Sequence, residues 1–157
     1  MSDVFARFQE IWGSDYAPPV KMTPNELAVV ERSLGFLFPQ IYVDAIGRCG
    51  AFSARSELLD LIVDRHLDLR DVDEFFNPSE IRDTMLGWRE AGMPEGLIPI
   101  AKDCMGNLFG FDEEDGQTAR MPDSAVYFWD HDLNEVYHEA EGFDAWIGRY
   151  NSLSGGS

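Results

Sequence analysis

The apolar pattern of this 157-residue chain changes period once, near Leu97, and nothing else in it restricts the possible folds as much. Before that point apolar residues recur at helical spacing. Beyond it they come in short blocks separated by turn residues. Helices first and antiparallel hairpins later predict an α+β fold, with helices packed over one face of a mainly antiparallel sheet. The length suits a single domain, able to bury a core without disulfide staples.

In the helical part, Val4, Phe5, Phe8, Ile11 and Trp12 form the stripe of a first helix, which Ser2 or Asp3 can cap and Gly13 can stop. Pro18 and Pro19 then require an extended linker. Thr23-Pro24-Asn25-Glu26 opens a second helix, with Thr23 as cap, Pro24 in the first helical position and Glu26 closing a capping box. Leu27, Val30 and Leu34 line it, and Gly35 suits a left-handed stop. Pro39 begins a third helix through Tyr42 and Ile46, which Gly47 and Gly50 are expected to end. The run 57–66 fits helix and strand equally well by periodicity, and a short extended piece is expected within 68–76. Asn77-Pro78-Ser79 starts another helix through Ile81, Met85 and Trp88, stopped by Gly92 and Pro94.

After Leu97, LIPIAKD and LFGFD form a hairpin in which Gly106 takes a positive φ. AVYFWDH and EVYHEAE form a second hairpin around residues 132–135. Val126 and Phe128 on one face, Tyr127 and Trp129 on the other, make both faces of one strand apolar. That fits a central strand covered on both sides, or one aromatic face left open for a partner. Phe143, Trp146, Ile147 and Tyr150 line a closing helix over 142–150, and residues 151–157 are expected to be a flexible tail.

Charge narrows the function. With 29 acidic and 12 basic side chains the net charge is −17, which disfavours direct binding to nucleic acid or to anionic membranes. No apolar run is long enough to span a bilayer, and the first residues lack the basic start and apolar stretch of a signal peptide. Two cysteines, Cys49 and Cys104, are compatible with a reducing compartment, so a cytoplasmic protein is expected. The charge is uneven: residues 1–102 carry 17 acids and 10 bases, a net of −7, whereas residues 103–157 carry 12 acids against Arg120 and Arg149, a net of −10.

Motifs for chemistry are weak. Asp112-Glu113-Glu114-Asp115-Gly116 has a calcium-loop composition, but Gly116 as sixth residue of an EF-hand makes Phe111 the first ligand and Pro122 the last. Neither has a carboxylate, so a solvated acidic turn is expected instead. His131 and His138, near Asp130, Asp132 and Glu135, are possible zinc ligands. A two-residue turn at Leu133-Asn134 is taken to place the two imidazoles on opposite faces, so no metal is expected. Nucleophile-elbow, phosphate-loop and dinucleotide motifs are absent. Neither a catalytic residue nor a cofactor is expected.

Four segments in order carry a resemblance. LGFLFPQIYVDAIGRCG (Leu34-Gly35, Phe38-Pro39, Tyr42, Gly50), LIPIAKDCMGNLFGFD (Ile98-Pro99-Ile100-Ala101, Asp103, Gly106-Asn107, Asp112), VYFWDHD (Val126-Tyr127, Trp129-Asp130-His131) and GFDAWI resemble the SUKH superfamily, the SMI1/KNR4-like domains. The resemblance implies one SUKH-like domain over residues 1–150, with an N-terminal helix and linker at 1–22 and a core at 23–150. It also implies a non-enzymatic, protein-binding role. Most bacterial members are taken to be immunity proteins that neutralise polymorphic toxins, often nucleases, while fungal relatives resemble regulators of cell-wall assembly. Two readings therefore stand: an immunity protein against a cognate, basic toxin domain, and an intracellular scaffold or regulator. The candidate partner surface is the acidic loop Asp112, Glu113, Glu114 and Asp115 with the second hairpin, Asp130, Asp132, Glu135, Glu139 and Glu141.

Overall fold

Residues 2–155 are described in a computed structural model of the chain. Six helices, α1 (Val4–Trp12), α2 (Pro24–Leu34), α3 (Gln40–Cys49), α4 (Ser56–Asp64), α5 (Pro78–Glu90) and α6 (Phe143–Gly155), accompany five strands. The strands are β1 (Glu74–Phe75), β2 (Leu97–Lys102), β3 (Leu108–Asp112), β4 (Val126–Asp130) and β5 (Glu135–Ala140), antiparallel throughout and adjacent in chain order. The α+β domain with helices packed on an antiparallel sheet is what the change of period predicts.

Local signals act at most helix ends. Thr23 Oγ1 accepts from the Glu26 backbone N–H, and Gly35 ends α2 at φ 65°. The expected box is only half made, because the Glu26 carboxylate takes the Thr23 hydroxyl. The full reciprocal box belongs to Asn77 and Glu80 at the start of α5. Gly47 does not end α3; the helix runs through it to Cys49, and Gly50 is the cap. The ambiguous run resolves as α4, which buries Leu58 and Ile62, one helical turn apart.

One face of the sheet carries an aromatic core. Phe109 on β3 lies 4.7 Å from Trp146 of α6 and 5.0 Å from Phe128 of β4, centroid to centroid. Phe111 meets Tyr42 of α3 edge-on, and Phe5 and Phe8 of α1 pack against Phe75. The other face is not bare, as helices on one face alone would leave it. Side chains alternate along a strand, so Trp129 points away from Phe128, and there it meets Trp88 of α5 at 5.4 Å. α5 therefore covers one end of the second face, with Tyr127 half-buried beyond it.

The second hairpin differs from the expected register. Trp129 pairs with Val136 and Asp130 with Glu135, leaving a four-residue loop at 131–134. Asp130 Oδ1 accepts from the N–H groups of Asp132 and Leu133, Asn134 adopts φ 51°, and its Oδ1 accepts from the Trp129 indole. This side-chain turn fixes the pairing two residues away from the two-residue alternative. The histidines share a face in either register, because opposed residues point the same way and a two-residue shift leaves every face unchanged, so the expected opposition fails on parity. Tyr127 pairs with His138, and His131 lies beside Trp88 and Trp129, so both sit on the Tyr127/Trp129 side. Among the described residues no three His, Cys, Asp or Glu side chains form a metal-holding group.

The expected tail is also revised for residues 151–155. α6 continues past Tyr150 to Gly155, Asn151 is buried and donates to the Val4 carbonyl of α1 at 2.9 Å, and Leu153 packs against the core. The polar composition of NSLSG hides one apolar and one hydrogen-bonding contact at helical spacing. Residues 156 and 157 lie outside the described part.

Candidate functional site

The acidic loop after β3 is a one-turn 3-10 helix, Glu113–Gly116, capped by Asp112, whose Oδ1 accepts from the Glu114 N–H. Its backbone is tied down on both sides. The Glu113 N–H donates to the Gly96 carbonyl and Leu37 N–H donates to the Gly116 carbonyl. A Cβ at Gly116 would run into the carbonyl of Leu37 and the Phe36 ring, so glycine is required by close approach. The loop beyond it is held by Arg120, which bonds Glu31 and the Phe38 carbonyl. The Met121 and Pro122 carbonyls then accept the first N–H groups of α3. The exposed carboxylates of Glu114 and Asp115 thus stand on a backbone tied down at both ends.

The nine candidate acids do not form one surface. Glu114, Asp115 and Glu141 line one hollow of about 510 Å³ together with Asp123 and Tyr127. Asp112 and Glu113 lie at its side, only half-exposed. Asp130, Asp132 and Glu135 sit at the opposite end of the β4–β5 hairpin, since Val126 pairs with Ala140 at one end and Asp130 with Glu135 at the other. Four strand steps of ~3.3 Å separate the two groups by about 13 Å. Glu139 belongs to neither. It is 5% exposed and holds Arg70 at 3.0 Å, while Arg70 in turn lies over the rings of Phe128 and Tyr137. Glu139 is thus a buried ion-pair member, not a partner contact, because its parity on β5 turns it to the aromatic-core face.

A groove that was not singled out in the sequence adjoins the acidic hollow. Pro94, Leu97, Asp112, Tyr127 and Val136 line about 220 Å³ on the open end of the second sheet face. Tyr127 borders both depressions, and its hydroxyl is pushed up by burial first and then by Asp115 and Asp112. The sequence hints at it through Tyr127, on the strand face that could stay open for a partner, and through the aliphatic Val136 in EVYHE, which is 47% exposed.

Comparison with known proteins bears on this arrangement. The model of the SMI1/KNR4 family (SUKH-1) matches residues 21–149. The chain belongs to the SMI1/KNR4 (SUKH-1) family. No curated protein matches it significantly. Members of SUKH-1 are non-catalytic protein-interaction domains, and membership places the chain among them. No helix among the described residues is long and apolar enough to cross a membrane.

Proposed function

We propose that this SUKH-1 domain is a cytoplasmic immunity protein that binds a cognate, basic toxin domain of the nuclease type and neutralises it by direct contact. The observation that carries the reading is the uncompensated acidic hollow. Glu114, Asp115, Asp123 and Glu141 surround it and no basic side chain lines it. Of the two bases in residues 103–157, Arg120 is already committed to Glu31. A nuclease grips phosphates with a cationic cleft, and carboxylates of opposite sign on an anchored backbone attract that cleft and compete for it. Opposite net charge also speeds encounter, which matters when each uninhibited toxin molecule continues to act.

The test is to identify the immediately upstream gene and, where it encodes a toxin-like domain, to co-express that domain with this chain and follow growth. Rescue of growth, with a dissociation constant that rises steeply with salt, supports the proposal. Persistent growth arrest together with no measurable binding at low salt overturns it.

A further inference from the structure

The placement of Tyr127 between two unlike depressions says what kind of segment the surface accepts. On one side lies the groove of Pro94, Leu97 and Val136; on the other lies the hollow of Glu114, Asp115 and Glu141. The groove, about 220 Å³, is below the ~300–1,000 Å³ of sites that enclose a free small molecule. It has room for one side chain. Pro94, Leu97, Tyr127 and Val136 make most of its lining apolar, and His138 stands edge-on against the Tyr127 ring at 5.6 Å. β5 is an edge strand with β4 as its neighbour in the sheet, and Val136 on it is 47% exposed.

We infer that this face docks a segment of a cationic protein partner that places one aromatic or large aliphatic side chain in the Tyr127/Val136 groove and an adjacent Arg or Lys in the acidic hollow. The inference rests on the immunity reading for the partner's identity as a toxin, though not for its chemistry. Charge selects the occupant. A second copy of this chain would bring another −17 to the same surface and be repelled. A cationic partner gains twice, since desolvating an apolar anchor supplies affinity and the neighbouring carboxylates supply register and a fast approach.

The test uses the full chain and three blocked peptide amides, acetyl-Arg-Phe-Arg-amide, acetyl-Arg-Gly-Arg-amide and acetyl-Glu-Phe-Glu-amide, followed by amide-resolved NMR titration. The expected result is saturable shifts centred on Tyr127, Val136 and Asp115 with the first peptide. Binding should be at least about fivefold weaker for the glycine peptide, the size of effect a partly buried apolar side chain supplies, and undetectable for the acidic one. Val136→Ser should remove the advantage of Phe over Gly, and Glu141→Gln should weaken both basic peptides, with unfolding midpoints unchanged because both residues are exposed.

Equal binding of the Phe and Gly peptides, or shifts centred on the 131–135 end of the hairpin, would overturn the inference. Self-association in sedimentation at high salt that Val136→Ser abolishes would make a second copy the occupant and overturn it likewise. The two readings fail separately. A neutralised toxin whose affinity ignores Val136→Ser removes the groove and leaves the immunity role; selective peptide binding without toxin rescue does the reverse.

Discussion

Arg120 reaches across 89 residues of chain to grip the Glu31 carboxylate, with N–O separations of 2.8 and 3.1 Å, and Glu31 is 7% exposed. The same carboxylate accepts from the Phe38 N–H, and Arg120 also donates to the Phe38 carbonyl. One ion pair therefore joins α2, the α2–α3 corner and the loop that carries the acidic hollow.

Removing the cation leaves Glu31 buried with a single backbone donor. Arg120→Met should destabilise the domain by about 3 kcal/mol, the range for stripping one partner from a buried pair. The check is a urea-unfolding midpoint, with amide exchange expected to quicken at Gly116, whose neighbourhood the pair supports. A change below about 0.5 kcal/mol would place the pair among surface ion pairs.

Glu74 gives stability a pH dependence of unusual sign for a carboxylate. Burial first, then a hydrogen bond with Glu80 and its like charge, push it up to about 7, against the opposing pull of Lys102 at 3.6 Å. The folded state thus holds a proton that the unfolded chain releases near 4.5. Between those values the native state binds more protons, so this group's contribution is fully present below about 4.5 and is lost as pH rises through about 7. Glu74→Gln should raise the unfolding midpoint at pH 8 and leave that at pH 5 nearly unchanged. An equal effect at both pH values would count against it.

Cys104 is exposed yet should react slowly. Burial of its sulfur, followed by the carboxylates of Asp71 and Asp103, pushes the thiol up to about 11. Asp71 accepts from both the Cys104 N–H, at 2.9 Å, and its Sγ, at 3.6 Å. Asp71→Asn removes the nearest negative charge and should increase the rate of iodoacetamide labelling at pH 8 several-fold. Mass spectrometry distinguishes this from Cys49, which is buried and whose thiol is also raised.

The end of α6 provides a further check. Asn151→Ala should cost about 1 kcal/mol through loss of the bond to Val4, and deletion of residues 151–157 should cost more because Leu153 also leaves the core. A flexible tail would make both changes silent in thermal unfolding.

For the partner surface, reversing Glu113, Glu114 and Asp115 to lysine should slow association with a basic toxin domain by about tenfold at low salt. Folding should persist, because that loop is anchored through the backbone of Glu113 and Gly116. The decisive measurement is stopped-flow association at two ionic strengths. The same rate for both proteins at low salt would remove the loop from the approach path.

What could be read in advance has local causes. Thr23-Pro24, Asn77-Pro78 with Glu80, Gly35 and Gly106 act through dihedral preference and hydrogen bonds within a few residues, so capping, turns and the α+β class follow from the chain alone. The acidic bias after Lys102 is likewise a property of composition. Glycine at position 47 misled because it costs an α-helix only about 1 kcal/mol, which tertiary packing of α3 readily outweighs.

Tertiary structure decided the rest, because burial is a relation between distant residues. Glu139 and Glu141 are indistinguishable as letters, but the first is buried against Arg70 and the second is exposed. Pairing of β4 with β5 sends Asp130 and Glu141 to opposite ends of one hairpin, so a charge excess that is continuous in sequence divides in space. The same pairing, with α5 stopping short over the sheet, sets Tyr127 between an apolar groove and an acidic hollow. Net charge alone gave the sign of the partner proposed above. Only the fold specified where an apolar anchor and a basic side chain could meet it together.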